Sequence, residues 1–132
     1  MRNKVLKRLA ILVFTIFLLN TAGSFFGWYE LLPWYDIVMH FLGGLWLSLV
    51  AIWILYKYME VRKDAIFSTL LFVLIGAILW EVLEYAIQAI ANTPGLLATM
   101  PDSISDVVFG LLGGLLGGLY TLKKIRQHDK TD

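Results

Sequence analysis

The stretch "LLFVLIGAILWEVLEYAIQAI", Leu70 to Ile90, decides the fold. It is as long as the ~20 apolar residues an α-helix needs to cross the ~30 Å hydrocarbon core of a bilayer, yet it carries Glu81, Glu84 and Gln88. A charged side chain at that depth costs roughly 2.5–3.5 kcal/mol or more. A helix that keeps two carboxylates there needs compensating groups on other helices, so the reading turns to what the rest of the chain brings to the same depth.

Three further runs share the apolar character of Ala65 to Ala91. Leu9 to Tyr29 has no charged residue, Ile37 to Tyr56 has His40 as its central ionisable group, and Ser103 to Leu122 is apolar except for Asp106. Backbone groups in lipid must be satisfied within the segment, which selects helices. The expected fold is an all-α membrane protein of four transmembrane helices in a compact bundle, with spans near 7–28, 36–58, 65–91 and 103–122. The 132 residues make one integral membrane domain. Its 59% hydrophobic content exceeds the ~45–50% of ordinary soluble domains.

Basic residues set the expected orientation. Arg2, Lys4, Lys7 and Arg8 precede the first run, Lys57, Arg62 and Lys63 separate the second from the third, and Lys123, Lys124, Arg126 and Lys130 follow the fourth. These are all eleven, so the positive-inside rule places both termini and the middle connection in the cytoplasm of a cell-membrane protein. Trp28, Tyr29, Trp34 and Tyr35 suit an outer aromatic belt, and Trp53, Tyr56, Tyr58 and Tyr120 an inner one. The basic start and the small residues "TAGS", Thr21 to Ser24, also resemble a signal peptide. The apolar run continues through Phe25, Phe26 and Trp28, which favours an uncleaved helix.

Several classes of function fall away. A net charge of +1 gives no basic field for nucleic acid, and the absence of cysteine excludes disulfides, zinc ribbons and iron–sulfur sites. There is no K-x₆-R-P run, no H-E-x-x-H helix and no G-x-S-x-G elbow. His128 lies in the basic tail, so a mechanism needing two outer-face histidines is excluded within one protomer.

The remaining polar residues converge. Asp36 and His40 lie in the first two turns of the second span, Asp102 and Asp106 in those of the fourth, and Glu84 and Glu81 about 10–15 Å below the outer end of the third. Asp36 and His40 share a face with Gly43 and Gly44, and Asp102 and Asp106 share one with Gly110, Gly113, Gly114 and Gly117. Glycine ridges let membrane helices approach closely, so these stripes are expected to face one another around a polar cavity in the outer half of the membrane.

Each residue has a plainer reading too. Asp102 after Pro101 could cap a helix, with Ser103 and Asp106 forming a capping box. Asp36 could be a solvated first-turn residue, and His40 a neutral imidazole bonded to a carbonyl. The glutamates could be protonated and bonded to a neighbouring helix, and the glycines serve packing alone. Trp46 reads as an ordinary core or lipid-facing residue.

One histidine among carboxylates is a ligand set for Zn²⁺, Mn²⁺, Fe²⁺ or Mg²⁺. His40, Glu84 and Asp106 are the expected metal ligands and catalytic groups, with Asp36, Glu81 and Asp102 as binding residues. A divalent metal there could activate water to hydrolyse a lipid-linked or envelope ligand. The same residues could do general acid–base chemistry without metal. Two other classes compete: a small ion- or proton-coupled transporter, expected to be a homo-oligomer, and a non-catalytic scaffold whose acids lock helices together.

Read in order, "YDIVMHFLGG" (Tyr35 to Gly44), "WEVLEY" (Trp80 to Tyr85) and "DSISDVVFGLLGGLLGG" (Asp102 to Gly118) resemble the motifs of VanZ-like and YjdF-like membrane proteins. The resemblance covers the last three spans and singles out the same six residues. Ile37 departs from it, because VanZ-like proteins usually have lysine or a similar residue there, and YjdF-like proteins tend to be longer. It implies an integral membrane protein acting at the cell envelope. VanZ-like members are linked to glycopeptide resistance, a property not carried over to this chain.

Overall fold

The computed structural model describes residues 2–55, 62–91 and 100–128, all of its regular elements being helices. They are α1 (Arg2–Phe25), α2 (Trp28–Leu31), α3 (Tyr35–Leu55), α4 (Arg62–Ala91) and α5 (Met100–His128). Four contain a span long and apolar enough to cross a membrane: Asn3–Phe25, Tyr35–Leu55, Ala65–Ile90 and Asp102–Lys123. The expected end of the second span at 56–58, with Tyr56 and Tyr58, lies outside the described residues.

Two helix ends differ from the sequence reading. α1 stops at Phe25 and does not continue to Trp28, because Gly27 takes a left-handed conformation (φ 67°) that ends the helix at no steric cost. The chain then turns through the short α2, whose Leu31 and Leu32 amides donate to the carbonyls of Gly27 and Trp28. α5 begins at Met100, with Pro101 in its first turn, where the missing N–H costs nothing. Asp102 and Ser103 are therefore already helical, which does not suit the alternative reading of a capping box; Asp102 favours the helix dipole, and Asp106 is buried at 6% exposure.

α3 is the hub, with α1, α4 and α5 all packed on it. It runs parallel to α5 along the two glycine stripes, as expected: Gly44 lies against the Gly110 carbonyl, Gly113 against that of Phe41, and Gly117 against Ser48. Without side chains there, the backbones approach closely enough for the van der Waals packing that helps hold helices together in lipid. α4 runs antiparallel to both, with Gly76 under Leu47 and Gly114 under Val73. The buried hydroxyls of Ser48 and Thr69 donate back to the carbonyls of Leu45 and Ala65 in their own helices, at 2.7 Å each.

α1 is the peripheral helix. Phe14 points outward, 61% exposed, as suits a lipid-facing surface. Its inner edge buries Val5 and Leu9 against Leu49, and two hydrogen bonds tie it to α3: Trp46 Nε1 donates to the Leu9 carbonyl (3.2 Å) and Tyr35 Oη to the Leu19 carbonyl (2.8 Å). Tyr35 is thus a buried helix clamp and not part of an outer aromatic belt, and Trp46 fixes α1 as well as filling space. The Arg8 guanidinium sits 5.6 Å from the Tyr120 ring centroid, so the first and last spans meet at the bundle end opposite His40.

Candidate functional site

The site grows from one turn of α3. Asp36 and His40, four residues apart, stack on the same face, with His40 Nε2 3.5 Å from Asp36 Oδ1. One turn further on, the Gly44–Gly110 contact presses α5 against α3 and carries Asp106 Oδ2 to 3.8 Å from the same nitrogen. α4 supplies the other side, with Glu81 Oε1 3.7 Å from His40 Nδ1. Three helices therefore meet at one imidazole whose side chain is 9% exposed, and Glu81 and Asp106 are buried to a similar degree.

These separations exceed the ~2.7–3.2 Å of a direct N–H···O bond. A neutral imidazole has a single N–H, yet here both ring nitrogens face carboxylate oxygens. A second proton or a bound cation would satisfy both sides. Among the described residues, Glu81 Oε1 is buried and has no hydrogen-bond donor.

Donor atoms gather into two groups, each within 4.8 Å: Asp36, His40 and Asp106, and His40, Glu81 and Glu84. His40 belongs to both. The expected trio of His40, Glu84 and Asp106 is not one such group, because Glu84 and Asp106 lie in separate groups that share only the imidazole. Glu81, expected only to bind, belongs with Glu84. Asp102 is exposed, one turn from Asp106, and belongs to neither group.

A cavity of about 410 Å³ opens beside the cluster between α1, α3 and α4. Asp36, His40 and Glu84 line it, whereas Glu81 and Asp106 do not. Asn20 and Tyr29 complete its polar end; sequence reasoning passed over Asn20 and read Tyr29 only as part of an outer aromatic belt. The signal for one was present: Asn20 is an amide inside an otherwise apolar run. Tyr29 Oη donates to Asn20 Oδ1 at 2.7 Å.

The Tyr29 hydroxyl, outside the spans, is pushed from 10.0 to about 12 by burial first, then by the nearby Asp36, Tyr35 and Glu84. Burial and negative neighbours disfavour the phenolate, so the folded protein holds this proton more tightly than the unfolded chain. Tyr29 should then leave folding stability unchanged below pH 10 and reduce it as pH rises towards 12. Ultraviolet titration of wild type and Tyr29→Phe checks this: the difference spectrum should show one phenol ionising near pH 12, and one ionising near 10 would refute it.

Comparison with known proteins agrees with the membrane architecture. The model of a family described as "Predicted membrane protein (DUF2238)" matches residues 1–127. A Thermotoga maritima protein described as "Uncharacterized protein" is 27% identical over 120 residues, covering 89% of this chain and 60% of the relative. The chain thus spans about 60% of the length of the curated relative it matches. No solved structure matches.

Proposed function

The chain belongs to the DUF2238 family of predicted membrane proteins, and from that premise we propose that it binds a divalent cation at His40, facing the polar part of an envelope ligand. Both termini are cytoplasmic in this reading, from the distribution of lysine and arginine, and the site lies in the outer half of the cell membrane. The resemblance of three motifs to VanZ-like and YjdF-like proteins supports a role at the envelope.

One observation carries the choice of ligand: Glu81 Oε1 is buried, unpartnered and 3.7 Å from a ring nitrogen of His40. An acceptor left in this state inside a membrane costs free energy that a cation would recover. His40, Glu81 and Glu84 are the group that would hold it, an imidazole-and-carboxylate set suited to Zn²⁺, Mn²⁺, Fe²⁺ or Mg²⁺. Two of the three donors line the cavity, so the ion's charge would be felt by a ligand there. A metal in this position supplies Lewis-acid polarisation and a nucleophilic water, which would suit hydrolysis of a lipid-linked ligand.

The test is metal content after equilibrium dialysis of detergent-purified protein against Zn²⁺, wild type beside His40→Ala. Near-stoichiometric zinc is expected in the wild type and none in the variant, with helical circular dichroism retained in both. A wild type that leaves dialysis without zinc sinks the reading.

A further inference from the structure

We propose that the cavity between α1, α3 and α4 seats one hydrocarbon chain of a membrane lipid, whose phosphate head reaches the cation at His40. The phosphate rests on the ion reading above; the chain seat rests on the cavity alone.

The cavity has a direction. Along α1 its lining runs from Asn20 to Val13, along α4 from Glu84 to Gly76, and along α3 from Asp36 to Leu47. On each helix the polar residue stands at the same end and apolar residues follow. The α3 stretch measures about 16 Å at 1.5 Å per residue. Because these helices cross the membrane, the cavity lies along the bilayer normal, parallel to lipid chains, with its polar end near the α1–α3 connection. Its volume falls within the ~300–1,000 Å³ of ligand pockets.

It is also accessible from the side. Among the described residues, α1 packs on α2 and α3 without an extensive interface to α4. Trp80, half exposed, and Phe17 line the cavity at these two flanks. Inside, nothing occupies the volume at Gly43: a Cβ there would meet no atom within 4 Å.

Head chemistry follows from charge. A hydrocarbon tail gains little by leaving one apolar medium for another, so selection falls on the polar end. Asp36 and Glu84 line that end, and among the described residues no lysine or arginine does. A phosphate would be repelled by the bare carboxylates and would bind only through a cation, so phosphate affinity should depend on metal.

The experiment is native mass spectrometry of the full chain in detergent, titrated with dioleoyl-phosphatidic acid or with dioleoylglycerol, which has the same chains and no phosphate, with Zn²⁺ or with chelator. Wild type with Zn²⁺ should prefer phosphatidic acid by about tenfold or more, a difference set by the charge-assisted contact. Chelator should erase that preference. Gly43→Leu, and Val13→Trp from the α1 side, should fill the cavity and lose the lipid adduct while keeping their zinc.

Equal binding of the two lipids to protein that carries zinc, a preference for phosphatidic acid unchanged by chelator, or a folded, filled variant that still binds phosphatidic acid would each overturn the proposal. Failure of the ion reading looks different: zinc is then absent from every sample, and both lipids bind alike with or without it yet are still lost in Gly43→Leu.

Discussion

Gly44→Ala is expected to collapse the stability of the bundle, while Gly43→Ala, the same single methyl one residue away, is expected to be neutral or stabilising. At Gly44 the new Cβ would fall on the Gly110 carbonyl oxygen, a backbone atom of α5 that cannot rotate aside. Overpacking usually costs ~1–3 kcal/mol when neighbouring side chains can yield. Here only separation of α3 and α5 relieves the clash, which also loosens the contacts of Gly113 with Phe41 and of Gly117 with Ser48. The cost should lie at or above the top of that range. At Gly43 the Cβ enters open space, and removing a helix-interior glycine should gain ~0.5–1 kcal/mol. Unfolding midpoints in mixed detergent titrations measure the difference; equal midpoints would mean that the α3–α5 crossing is not as close as described.

That contrast marks what the sequence could and could not disclose. The four apolar runs are long enough that only membrane helices accommodate them, and the glycine stripes on the second and fourth are a packing signal readable from spacing alone. Which glycine of the Gly43–Gly44 pair carries the contact was not readable, since adjacent residues differ by about 100° around the helix and the crossing angle decides between them. Asp36, His40, Glu81, Glu84 and Asp106 could be drawn together by depth and face. Their partition into two groups around one imidazole could not, because it depends on side-chain positions within a few ångströms. The role of α1 was the least legible: Asn20 reaches the cavity through the packing of α1 on α3, and Tyr29 meets it there after the chain breaks at Gly27 and turns through α2. Tyr35 misled for a related reason, since an aromatic at a span end suits an interfacial belt and a buried clamp equally well.

Glu81→Gln is expected to stabilise the protein in chelator and to destabilise it, relative to wild type, in saturating Zn²⁺. In the ion-free protein, Glu81 Oε1 is buried without a hydrogen-bond partner, and Glu84 adds a second carboxylate to the same donor group. Removing one charge at constant shape relieves desolvation and like-charge repulsion; an unsatisfied buried group of this kind costs ~1–3 kcal/mol, more when charged. A rise in the unfolding free energy by that amount, seen as a higher midpoint, is therefore expected without metal. With zinc present the wild type gains RT ln(1 + [L]/Kd), about 2.7 kcal/mol at a hundredfold excess over Kd, while a variant that has exchanged a carboxylate for an amide gains less. The order of the two proteins then inverts. Inversion would mean that the residue is kept for binding at the expense of stability. Destabilisation in both conditions would instead favour a scaffold in which Glu81 holds α4 to His40, since losing the 3.7 Å pair would then be the dominant effect. Stabilisation in both conditions would leave Glu81 outside the ion's ligands and move the ion to the group of Asp36, His40 and Asp106.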